Sequence, residues 1–176
     1  MTTDSYSNVL VAIIKSPDVT EAVIQELQVS GFDMNNLSIV GPDYHSDKYV
    51  VGQYNPTDRI RYWGTAGTFW GGIWGLFFGS SFILIPEMGP LIVTGPLVKH
   101  VVSILEGAIS RNGLGVIGTG FMQLGIPKPS IQHYETALKA HCFVHIISGS
   151  TVKMTGAKTI FSRYAIGLPK VYPLWL

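Results

Sequence analysis

Charge is what this chain has least of. Asp, Glu, Lys and Arg make up 13% of its 176 residues, about half the share of an ordinary water-facing domain. That is too little to clothe a monomer of this length, so part of the surface is expected to meet other protein or lipid. The net charge is +1, which excludes the basic footprint of a nucleic-acid binder. Cysteine is nearly absent: with Cys142 alone, an internal disulfide and a Cys-rich metal site are excluded, in keeping with a reducing, cytoplasmic compartment. The N-terminal stretch lacks a basic n-region and a cleavage site, and its apolar run covers only Val9 to Ile14, so no signal peptide is expected. No Ser-His-Asp spacing, carboxylate pair or phosphate loop stands out. The expectation is a protein that is not an enzyme and has no cofactor and no metal.

Glycine and bulky apolar residues are abundant instead, and mean hydropathy is +0.31. Tyr62 to Pro86 holds no charged residue, and Gly67, Gly71, Gly75 and Gly79 recur every four positions. On a helix that spacing puts the glycines on nearly one face, where another helix can approach at backbone distance. Trp70 and Trp74 stand among the bulky residues around that face. Four glycines cost a helix about 1 kcal/mol each relative to alanine, which close packing must offset. These six residues are the candidates for helix packing and oligomerisation.

Around that stretch the chain alternates strands and helices. Asn8–Lys15 reads as a buried strand, and Ser16-Pro17-Asp18 as a helix start with Gly31 as its stop and Phe32 folding back. Leu37–Val40 is a second strand, which makes one βαβ unit with parallel strands. Residues 43–61 form a polar linker with one short strand at Tyr49–Val51. After Pro86 comes a Gly/Pro-rich break, then a helix expected from Pro96 to Asn112, with Lys99, Ser103, Glu106 and Ser110 as a narrow polar stripe, and a glycine-rich piece from Gly113 to Pro127. A helix over Pro129–Ala140, a strand over Cys142–Ile147 and a last helix from Thr151 to Tyr164 capped by Ser150 follow. The expected fold class is α+β: a ferredoxin-like βαβ…αβα layer, with one strand missing or displaced, and an inserted apolar glycine-rich helical hairpin. The divisions are 1–61, the first half of the α/β domain plus linker; 62–127, the insertion; 128–164, the second half; and 165–176, an extended apolar tail. That tail, AIGLPKVYPLWL, is too apolar to float in water and too proline-rich for a helix. Leu168, Tyr172 and Trp175 are its candidate docking residues, with a groove on a neighbouring copy as the expected seat.

The central region resembles a family of small bacterial general stress proteins that carry a glycine-zipper hairpin inside an α/β domain. The resemblance rests on the glycine-spaced stretch, on Ile85-Pro86-Glu87-Met88-Gly89-Pro90 with Thr94-Gly95-Pro96, and on Leu124-Gly125-Ile126-Pro127 followed by Tyr134. The aromatic loading of the hairpin, Lys128-Pro129-Ser130 in place of an acidic run, and the apolar tail depart from the family pattern. The resemblance implies stress-associated or membrane-associated behaviour rather than a reaction.

Other candidates weigh less. His141, Cys142 and His145 on a strand would put the two histidines about 13 Å apart, with the thiol on the opposite face, too far for one ion. Asp43, His45 and Asp47 read as solvated loop residues. Gly115, Gly118 and Gly120 do not have the dinucleotide-binding spacing. Arg59 and Arg61 before Tyr62-Trp63 fit an interfacial anchor or a charged loop equally well. The function expected is stress-associated, structural self-assembly into a homo-oligomer through the zipper helices, the partner being another copy. The alternative is an integral or peripheral membrane protein, associated with an inner membrane, whose apolar hairpin inserts in lipid. Tyr62–Pro86 as one helix would measure about 37 Å against a hydrocarbon core of about 30 Å.

Overall fold

Seven consecutive buried residues, NVLVAII, form strand β1 (Asn8–Ile14). A strand with no water-facing side belongs in a sheet covered on both faces. The computed structural model describes residues 8–42, 52–54, 81–85, 89–107 and 114–173. Its sheet contains β1, β2 (Leu37–Pro42), β3 (Gly52–Tyr54), β4 (Ser81–Ile85), β5 (Gly89–Thr94), β6 (Phe143–Gly149) and β7 (Lys170–Pro173), in the order β3-β4-β5-β2-β6-β1-β7. Every neighbouring pair is antiparallel. β1 and β2 therefore run parallel on either side of β6, and β6 and β7 run parallel on either side of β1.

Helix α1 (Pro17–Val29) connects β1 to β2, and α5 (Thr151–Ser162) connects β6 to β7. Both lie on one face, over Leu10, Ala12, Ile14, Leu37, Ile39, Phe143 and Ile147. The other face carries α2 (Leu97–Leu105), α3 (Val116–Gln123) and α4 (Lys128–Lys139), packed on Val9, Val11, Ile13, Val40, Val144 and Ile146. Alternate residues of β1 thus serve two cores. The result is a mixed α+β architecture of three layers.

Local chemistry sets the element ends. The Ser16 and Ser150 hydroxyls accept from the Val19 and Lys153 amides, capping α1 and α5. α1 closes with Phe32 N–H on the Leu27 carbonyl and Gly31 N–H on that of Gln28, with Gly31 at φ 86°. This is the double bond pattern of a glycine-terminated helix. α4 ends the same way, with Cys142 N–H on Ala137 and His141 N–H on Leu138, but there the left-handed residue is His141, at φ 65°. Pro96 precedes α2 and has no hydroxyl to offer, so Ser38 of β2 accepts from the Leu97 amide at 3.0 Å. The second helical layer is thereby tied to the sheet.

Four expectations need correction. Ser81–Ile85 is strand β4, paired with β5 from Ser81↔Val93 to Ile85↔Gly89, so no single helix runs from Tyr62 to Pro86. The run FILI suits helix or strand by periodicity alone, and the neighbouring β5 decides it. α2 stops at Leu105, short of Asn112, because Gly107 at φ 82° closes it on the Ile104 carbonyl. His141 and Cys142 lie in the turn before β6, outside the strand. The tail forms β7 on its own chain's β1, from Lys170↔Val11 to Pro173↔Asn8, where a neighbour's groove was expected. Within the linker Gly52–Tyr54 is a strand, and the strand expected at Tyr49–Val51 lies outside the described residues.

Candidate functional site

β1 has seven residues and β7 only four, so β7 covers the Asn8–Val11 half of the β1 edge. Beyond it a single bond, Ile166 N–H to the Ile13 carbonyl at 2.8 Å, holds the incoming chain. Gly167, at φ 72°, then turns that chain away. The wedge left between this turn, the end of β1 and α4 is a cleft of about 370 Å³. Val11, Ile13, Ile166 and Leu168 line it, with Lys170 and His133 contributing the charged and titratable groups. Tyr134, also on the wall, is engaged elsewhere: its hydroxyl lies 2.7 Å from that of Tyr172. Burial, and after it that hydrogen bond, pushes the Tyr134 phenol well above its ordinary range. It stays protonated at neutral pH and ties α4 to β7.

A second polar group sits under α1. His145 of β6 is fully buried, with Nε2 3.1 Å from the Thr20 hydroxyl and its ring edge-on to Phe161. Nδ1 has no partner. A proton on Nε2, given to Thr20, leaves only a bare lone pair in the core, which costs less than a buried N–H without an acceptor. Burial lowers the His145 pKa to about 3. The side chain is a neutral, fully buried core residue.

Among the described residues no group of His, Cys, Asp and Glu could hold a metal ion. Lys99 and Glu106 are exposed and Ser103 is half-buried, on the outer side of α2. His100, beside them, is lowered by burial and then by Lys99. Gly67, Gly71, Gly75, Gly79, Trp70 and Trp74 lie outside the described residues, as do Trp175, Ser110, Asp43, His45, Asp47, Arg59 and Arg61. Of the tail residues, Leu168 is 82% exposed on the cleft rim, whereas Tyr172 is half-buried against α4. The sequence analysis missed the cleft. Its one available signal was Lys170, the single charge in AIGLPKVYPLWL.

Comparison with protein-family models, with curated proteins and with solved structures finds no match. Among the described residues no helix is long and apolar enough to cross a membrane.

Proposed function

We propose that the protein is a non-enzymatic, stress-associated structural protein that assembles into a homo-oligomer through the glycine-spaced stretch. The β3–β4 ladder carries this reading. It sets Tyr54 opposite Phe82 and Gly52 opposite Leu84, so the chain carrying Gly67, Gly71, Gly75 and Gly79 leaves and returns at one place on the outermost strands. A single membrane crossing would part those ends by about 30 Å, and two crossings need about 40 residues, more than residues 55–80 provide. This geometry favours self-association over a spanning hairpin, and leaves a shallow dip into an inner membrane as the second reading.

The strand order β2-β6-β1-β7, with α1 and α5 on one face, further supports a ferredoxin-like frame into which everything between β2 and β6 is inserted. The likeness to glycine-zipper general stress proteins belongs to the same reading. The test is fractionation of a cell lysate without detergent. A large, lipid-free cytoplasmic particle on a density gradient is the expected result. Recovery only in a low-density lipid fraction, released by detergent and not by alkaline carbonate, would replace this proposal with the membrane one.

A further inference from the structure

We propose that the cleft beside β1 binds an amphipathic carboxylate, with its hydrocarbon chain against Val11, Ile13, Ile166 and Leu168 and its anionic head at Lys170 and His133. This goes beyond the self-association proposed above and does not depend on it. Three observations converge. The volume, about 370 Å³, lies within the usual range of small-ligand clefts, about 300 to 1,000 Å³. The wall is mainly aliphatic, and two of its members remain in water at the rim, Leu168 at 82% and Ile166 at 49% exposure. A bound chain would cover them.

The third observation is charge. Lys170 and Tyr172 alternate onto the same side of β7, and Tyr172 meets α4 there. Lys170 and His133 thus face the cleft from two different elements. Among the described residues no carboxylate lines the cleft, and neither Lys170 nor His133 is in an ion pair. Lys170 repels a cationic head and offers a carboxylate a hydrogen bond between opposite charges, while an alcohol accepts from the ammonium without a charge of its own. Among the described wall residues the one aromatic hydroxyl already has a partner, so a sugar would find few hydrogen-bonding groups there.

Octanoate, octanol and octylamine titrated into the full chain, followed through side-chain methyl NMR signals, distinguish the head-group chemistry. Octanoate should shift the methyls of Val11, Ile13 and Leu168 saturably. Octanol should bind about tenfold more weakly, the value of one charge-assisted hydrogen bond, and octylamine should not saturate. Lys170→Ala should weaken octanoate about tenfold and octanol by much less. Leu168→Glu, at an exposed position, should abolish octanoate binding with the circular dichroism spectrum intact. Equal affinity for octanoate and octanol, indifference to Lys170→Ala, or no saturable shift at all would each overturn the proposal. So would a Leu168→Glu variant of lower native mass in a protein that ignores octanoate, because the rim would then be a contact between copies.

Discussion

On one face of the sheet α5 leaves eight of its twelve residues exposed, whereas on the other α3 buries six of eight. α1 and α5 are ordinary amphipathic helices with one stripe on the sheet and the rest in water. α3 is enclosed by α2, α4 and the sheet, and its glycines allow the approach. A methyl group added at Gly120 would stand 2.9 Å from Leu97 Cδ1, and one at Gly118 would stand 3.0 Å from Ile131 Cγ2. The same half of the chain is where charge is scarce: between Tyr62 and Pro127 only Glu87, Lys99, Glu106 and Arg111 carry any. One helical layer is thus finished by solvent, and the other by close apolar contact. Both sides bury polar groups. The α1/α5 side holds the His145–Thr20 pair, and the α2–α4 side holds Ser38, bonded to the Leu97 amide, and Thr119 in α3.

The largest expected effect breaks this symmetry with acid. His145 has its folded pKa, about 3, below the ordinary histidine value of 6.5, so unfolding takes up a proton. Stability is then complete above about pH 6.5 and falls as the pH drops through the window from 6.5 to 3, by about 1.4 kcal/mol per unit. The total is about 5 kcal/mol. Urea unfolding at pH 7, 5 and 4 should show this slope in the native protein and lose that share of it in His145→Leu. Identical slopes in the two proteins would mean that the α1/α5 layer does not carry the acid sensitivity.

Next in size is the joint between β5 and the second layer. Gly95 has φ 80°, and an added Cβ would collide with the Leu37 carbonyl, a backbone atom that cannot rotate away. Gly95→Ala should cost about 3 kcal/mol, combining left-handed strain with overpacking. Gly31→Ala, at φ 86° with nothing within 4 Å, should cost only the conformational part, about 1 kcal/mol. Thermal melts of the two variants compare them directly, and equal losses would remove crowding from the explanation.

The smallest effect concerns the β7 tie. Tyr134→Phe and Tyr172→Phe each remove the same 2.7 Å bond, worth about 1 kcal/mol. The double variant should lose little more than either single one. Additive losses in chemical denaturation would show that the two hydroxyls act separately.

Much of the α1/α5 side was legible in the sequence. Ser16 before Pro17, Gly31 before Phe32, and Ser150 before a new amphipathic run are local signals, and each acts within one turn of the chain. The features that stayed hidden depend on distant partners. β7 was obscured by its prolines, yet Pro173 sits at the end of an edge strand, where a missing N–H does no harm. Ser81–Ile85 continued an apolar run, and only β5 makes it a strand. His141 takes a left-handed position that glycine usually holds, yet α4 ends with its cap at Ala140, as the sequence led one to expect. Leu97 finds its cap on Ser38, far back in the chain. The cleft was unreadable because it is made by the difference in length between two paired strands.

Sedimentation equilibrium in aqueous buffer, without detergent, tests self-association through the glycine-spaced stretch most directly. The native chain should sediment as a discrete multiple of its 19.2 kDa mass. On the proposed assembly Gly71→Leu and Gly75→Leu should sediment as smaller species with an unchanged circular dichroism spectrum, because leucine would hold a partner helix away. A native chain that sediments as a monomer, or leucine variants that keep the native mass, would contradict the account.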